Sequence, residues 1–147
     1  MKRDMDLIRE ILLFVEEHAP YPNGDSVSFK KDGVSDLDIS FHIGLLENAK
    51  FVVAPSNSEV HGSYLYKKYH VVVSITWQGY EFLDKIRDEK QWKRIKQMLS
   101  KTGDFSFETI SRAASSLIAE QLKQNVPSIF GIIVVYLAGL LTKPFWK

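Results

Sequence analysis

The chain has 147 residues, 45% hydrophobic and 25% charged, with eight Gly and five Pro, the composition of one folded domain with room for an appendage. It contains no cysteine, which excludes a disulfide scaffold, an iron–sulfur cluster, a thiolate zinc site and a cysteine nucleophile. Nineteen Lys and Arg against 18 Asp and Glu give a net charge of +1, which excludes the globally basic surface of a histone-like nucleic-acid binder.

The first predicted element is a helix, because Met5, Ile8, Ile11, Leu12 and Val15 recur on one helical face. Asp4 is its expected cap, and Pro20 and Pro22 stop it near His18. The charged start Met1 to Asp6 has no apolar h-region with a small-residue cleavage site behind it, so no secretory signal is expected and the N-terminal part is assigned to the cytoplasm. A turn at Pro22-Asn23-Gly24-Asp25 leads to a short predicted strand, Ser26 to Lys30, around Val27 and Phe29.

Ser35 and Asp38 form a capping box, with Val34 and Ile39 as its hydrophobic staple. The helix they open runs to about Asn48 or Ala49, with Ile39, Ile43, Leu46 and Ala49 on one face. Phe51-Val52-Val53 reads as a strand, residues 55–62 as a polar loop, and Tyr64 to Ile75 as a hairpin turning near that loop or near Lys67-Lys68. Its pattern sets Val71, Val73 and Ile75 on one face and Tyr66, Lys68, His70 and Ser74 largely on the other.

Thr76 caps the next helix, with Tyr80, Leu83 and Ile86 inward. Asp88 with Gln91 starts another, whose apolar side is Trp92, Ile95, Met98 and Leu99, and Gly103 ends it. Ser106 caps a third, stapled by Phe105 against Ile110, with Phe107, Ala114, Leu117, Ile118 and Leu122 also inward.

This order predicts an α+β fold: a winged-helix-like domain (helix, strand, helix, β-hairpin wing, helix) followed by C-terminal helices, the last hydrophobic. The segment Ile39 to Val52 resembles the recognition helix and first wing strand of winged-helix repressors, and Ile75 to Leu83 resembles the junction that closes such wings. Lys50 stands where those domains usually carry Gly, so a left-handed helix cap there costs roughly 1 kcal/mol. Met1-Lys2-Arg3-Asp4-Met5-Asp6-Leu7-Ile8-Arg9 and the Trp77-x-Gly79-x-x-Phe82-Leu83 segment together resemble an uncharacterised family of phage and bacterial proteins, over roughly residues 1–123. That resemblance implies a phage or mobile-element setting and no established activity. The expected division is a winged-helix-like domain at 1–88, an amphipathic helical extension at 89–124 and a hydrophobic C-terminal helix at 125–147.

A winged helix suggests DNA, but the fold alone does not establish it, and the charge gives no help. Residues 1–84 hold eight Lys and Arg against thirteen Asp and Glu, a net of −5, where duplex binding needs cations facing phosphates. On the outward side of the candidate recognition helix lie Ser40, Phe41, Gly44, Glu47 and Asn48, of which only Ser40 and Asn48 could read a base edge. Lys67 and Lys68 are the basic spots of the wing. Residues 85–101 carry a net of +5. They read as a solvated helix face, or as a phosphate- or lipid-facing strip in which Lys93, Arg94 and Lys96 clamp phosphate.

His18, His42, His61 and His70 show no metal-site spacing. His42 reads as a hydrogen-bonded structural residue, while His61 and His70 could meet across the hairpin. Asp4 with Asp6, and Asp36 with Asp38, sit at helix N-termini where the dipole accounts for them. No nucleophile elbow or phosphate loop is found, so no enzyme activity, metal, cofactor or small-molecule substrate is expected.

The tail stands apart. Val126 to Thr142 holds 17 uncharged residues, about 26 Å as a helix, slightly short of a hydrocarbon core. Ile129, Phe130, Ile132, Ile133, Val134, Val135, Leu137, Leu140 and Leu141 cover its whole circumference, and Lys143, Phe145, Trp146 and Lys147 follow as an interfacial flank. A membrane anchor, a buried oligomerisation helix and a peripheral segment all fit. The expected function is a non-enzymatic accessory protein whose winged helix binds DNA or a protein and whose tail tethers it to the cytoplasmic membrane or a second copy. The alternative is a membrane-associated interaction module that never touches nucleic acid and uses Tyr64, Tyr66 and Tyr69.

Overall fold

The structure, a computed structural model, describes residues 1–19 and 25–142, and within the last helix it describes side chains only as far as Gln124 and at Leu137. The predicted turn at Pro22 lies outside the described residues. The chain orders five helices and four strands as α1 (Met5–His18), α2 (Asp36–Asn48), β1 (Val52–Val53), β2 (Ser56–His61), β3 (Tyr64–Tyr69), β4 (Ser74–Ile75), α3 (Trp77–Ile86), α4 (Glu89–Ser100) and α5 (Phe107–Thr142). It is an α+β fold.

Local signals set the helix starts. The Asp4 carboxylate accepts the amides of Asp6 and Leu7, Thr76 caps α3 through the amide of Gly79, Asp88 caps α4 through that of Gln91, and Ser106 accepts the amide of Thr109 in α5. At α2 the Ser35 hydroxyl accepts the Asp38 amide, and the Asp38 carboxylate accepts the hydroxyl proton of Ser35 rather than its amide. That helix ends in a Schellman motif, Phe51 N–H to the Leu46 carbonyl and Lys50 N–H to that of Glu47. Lys50 takes the left-handed conformation, φ 65°, as its position predicts.

Two antiparallel pairs make up the strands: β1 with β4, and β2 with β3. The predicted strand at Ser26 to Lys30 is reduced to one bridge, Val27 with Val72, although Phe29 is buried as expected. The expected polar loop is largely β2, turned back at Gly62 and paired from Ser56–Tyr69 to His61–Tyr64. A segment of Ser, Asn, Glu and His carries little strand propensity, and pairing with the aromatic β3 overrides it. Beyond Tyr69 the ribbon loses its regular register, and Val72, not Val71 or Val73, is the buried member.

One core joins all five helices, through Ile8, Ile11 and Leu12 of α1, Ile43 and Leu46 of α2, Leu83 and Ile86 of α3, Trp92 and Ile95 of α4, and Ile110 and Ala114 of α5. Residues 89–117 of the predicted extension thus pack into the same core as the domain before them. Two α3 and α4 assignments shift. Tyr80 and Met98 are exposed, and Phe82 takes the inward place given to Tyr80.

Gly79 explains the spacing of the Trp-x-Gly-x-x-Phe-Leu segment: a Cβ there would stand 2.0 Å from the Phe51 carbonyl oxygen, so only Gly lets α3 start against the end of α2. Phe82 then stacks on Phe51, and both meet Phe107 of α5 with ring centroids 4.8–5.1 Å apart. Arg9 of α1 donates to the carbonyls of Ile86 and Arg87 and so caps α3.

α5 is a single helix of 36 residues, about 54 Å long. Among its described side chains Leu117 is the last buried one, and Ile118 and Leu122, predicted inward, are 39% and 56% exposed.

Candidate functional site

α2 is apolar on two sides. Ile39, Ile43 and Leu46 enter the core, while Leu37, Phe41, Leu45 and Asn48 run at spacings of four, four and three along another side, where Leu37 and Asn48 are exposed and Leu45 also packs against the core. The β2–β3 ribbon lies along that side. Its anchor is Tyr69, whose amide donates to the Ser40 hydroxyl at 2.8 Å and whose ring meets Gly44 so closely that a Cβ there would be 2.9 Å away. Between helix and ribbon runs a groove in two parts. The first, about 420 Å³, has Leu37 and Phe41 on the helix side and His61, Tyr64, Tyr66 and Lys67 on the ribbon side. The second, about 230 Å³, continues past Leu45 to Asn48.

Of the residues predicted to touch DNA, the structure brings Ser40, Asn48 and Lys67 to this groove. Ser40 is only 3% exposed, because its hydroxyl holds Tyr69 inside the fold, so it is not free to read a base edge. Asn48 and Lys67 are exposed. Lys68 is not at the groove; it pairs with Glu59 at 3.4 Å. The same carboxylate accepts the Tyr66 hydroxyl at 3.0 Å and faces His70 at 3.5 Å, which puts Tyr66, Lys68 and His70 on one face as their alternation predicted. Glu59 pays desolvation for that position, yet these partners hold it below the usual carboxylate range. Of the three wing tyrosines, Tyr64 is 77% exposed, but Tyr69 is buried.

The three predicted phosphate clamps of α4 lie elsewhere, each within reach of a carboxylate. Lys93 meets Glu89 at 3.6 Å, Arg94 meets Glu120 at 4.0 Å, and Lys96 meets Asp6 at 2.9 Å. Asp6 also accepts the indole N–H of Trp92 at 2.6 Å. Partial burial works against its charge, and the bonds from Trp92 and Lys96 hold its carboxyl below the usual range. Asp6 with Trp92 and Lys96 joins α1 to α4, Arg94 reaches α5, and Lys93 pairs within α4.

His42 is the structural residue its helical position implied: its Nε2 accepts the Asp4 amide at 2.8 Å and its Nδ1 donates to the Asp38 carbonyl at 2.6 Å. His61 and His70 do not meet, since His61 stands at the ribbon turn opposite Tyr64 and His70 lies beyond the other end of the pairing. Among the described residues no group of three or more His, Asp or Glu could hold a metal ion.

Sequence reasoning missed Leu37, an apolar residue two positions off the core stripe of α2, and Trp77, which is 81% exposed on α3. Leu37 carried a signal, because an apolar residue on the side opposite Ile39 and Ile43 has no core to enter. The predicted membrane residues Ile129, Phe130, Ile132, Ile133, Val134, Val135, Leu140, Leu141 and Trp146 lie outside the described side chains, and Leu137 is half exposed. Among the described residues no helix is long and apolar enough to cross a membrane.

Residues 2–104 match the protein family described as hypothetical protein DUF2513, and the chain belongs to that family. An uncharacterised protein of Haemophilus influenzae is 34% identical over 126 residues, spanning 83% of this chain and 99% of the relative. No solved structure matches. The family match ends before α5 begins and contains every residue of the groove except Met1.

Proposed function

We propose that this chain is a non-enzymatic binding module that docks a protein partner in the groove between α2 and the β2–β3 ribbon. The element order and the Val27–Val72 bridge support a winged-helix-like reading, in which α2 holds the place of the recognition helix and the ribbon that of the wing. The observation that carries the proposal is what α2 presents to the groove: the exposed Leu37 and the half-buried Phe41. A duplex would leave these apolar side chains against phosphates, whereas a protein partner buries them. The surrounding charge agrees, with eight cations against thirteen acids over residues 1–84.

Titration of labelled duplex with the full chain at low salt tests this. The proposal expects no saturable binding. A complex that weakens steeply with salt and is lost in Lys67→Glu with Lys68→Glu would overturn it.

The second part of the proposal concerns attachment. Beyond Leu117 the α5 side chains Ile118 and Leu122 are exposed, and the sequence from Gln124 to Thr142 is free of charge. Both support a tether that inserts in the cytoplasmic membrane, with a helix-to-helix contact between two copies as the competing use. Fractionation of the full chain and of a chain ending at Lys123 distinguishes them. Retention of the full chain in the membrane fraction at high salt, lost on truncation, supports the tether. A soluble dimer that becomes a monomer on truncation supports the competing use, and two soluble monomers contradict both.

A further inference from the structure

We infer that the segment docked in the groove is acidic, an apolar side chain flanked by one or more carboxylates, contributed by a partner protein. This rests on the protein-docking reading and names the chemistry of its occupant. The first part of the groove, about 420 Å³, has the size of a pocket for one or two large side chains, with Leu37, Phe41 and Tyr64 as its apolar surfaces.

Its charge has one sign. Neither part of the groove is lined by Asp or Glu, and Lys67 borders both. Among the described residues Lys67 has no ion-pair partner, although its neighbour Lys68 is held by Glu59. His61 stands on the same side and adds a second group able to donate to a carboxylate. The nearby acids are engaged elsewhere: Glu59 with Tyr66, Lys68 and His70, Asp36 with Lys30 at 2.8 Å, and Asp38 with the Ser35 hydroxyl.

A free cation beside an apolar groove, within a region of net −5, favours carboxylates at the groove and repels acidic chains elsewhere. Complementarity of this kind sets specificity and orientation more than raw affinity. Duplex phosphate would find the same lysine, but a single cation gives a salt slope of only about −0.9 and no hold on the apolar surfaces.

Selection of displayed random dodecapeptides on the folded full chain tests the inference. The expected consensus is one Phe, Leu, Ile or Trp within three positions of Asp or Glu. A synthetic consensus peptide should lose about tenfold in affinity with Lys67→Glu and about as much with Tyr64→Ala, both variants keeping the wild-type circular dichroism. Reselection on the Lys67→Glu protein should replace Asp and Glu by Lys and Arg. Peptides that need Tyr64 but are neutral or basic, or that ignore Lys67→Glu, overturn the acidic assignment and leave the docking reading standing. No enriched peptide, or only peptides indifferent to Tyr64→Ala, overturns both.

Discussion

The amide of Tyr69 donates to the hydroxyl of Ser40 at 2.8 Å, and this bond fixes the β2–β3 ribbon on the outward side of α2. A residue that a DNA-binding reading would aim at bases is thereby a fastener inside the protein. The groove exists because the fastener sits at one end of the ribbon while Tyr64, at the other end, stays exposed.

Ser40→Ala should therefore destabilise the fold rather than alter a binding surface directly. It leaves the Tyr69 N–H buried without a partner, at a cost of about 1–2 kcal/mol. Urea denaturation reads the loss. Hydrogen exchange at the Tyr69 amide should accelerate with it, and unchanged protection there would mean that the ribbon is held by other contacts.

Gly79→Ala should be among the most damaging single-atom changes in the chain. Its Cβ would stand 2.0 Å from the Phe51 backbone oxygen and 2.7 Å from an Ile75 methyl, so α3 must retreat from the end of α2. A loss of about 3 kcal/mol is expected, read as a lower denaturant midpoint, whereas Trp77→Ala at the exposed start of the same segment should change stability by less than about 0.5 kcal/mol.

Lys50→Gly should stabilise. Lys50 sits at φ 65° and is exposed, and its amide already completes the Schellman motif, so glycine relieves the left-handed strain without losing a contact. The gain expected is about 1 kcal/mol, partly offset by the added freedom of the unfolded chain. A calorimetric scan would show a higher Tm.

Asp6→Asn tests the contact between α1 and α4. Trp92 and Lys96 hold the Asp6 carboxyl below its usual value of 3.8 in the folded chain, so its contribution is present above that value and is lost as pH falls through the folded one. At pH 7 the substitution should cost about 1 kcal/mol, a modest figure because the pair is half exposed. At a pH below the folded value the difference from wild type should vanish, and a gap that persists there would mean that packing rather than charge joins the two helices.

How much of this was legible depended on whether the signal was local. Helix caps were, because a Ser, Thr or Asp finds its amide two or three residues on; Asp4, Ser35, Thr76, Asp88 and Ser106 all do so. The left-handed Lys50 followed from the resemblance to winged-helix domains, which usually carry Gly at that place. β2 was not legible, since Ser56 to His61 becomes a strand only through pairing with Tyr64 to Tyr69. The site divided along the same line. Lys67 and Tyr64 were marked by exposure-prone positions in the wing. The burial of Ser40 and Tyr69 depends on a contact 29 residues apart, and the pairing of Lys96 with Asp6 spans 90, distances over which periodicity carries no information.

Photocrosslinking from the groove is the most direct test of protein docking. With a benzophenone amino acid in place of Tyr64, irradiated cells expressing the full chain should yield discrete protein adducts that survive nuclease treatment. They should be lost on adding Phe41→Ala, and missing when the probe replaces Lys90 on the exposed side of α4. Adducts to nucleic acid, or a pattern identical from Tyr64 and Lys90, would contradict a protein-docking groove.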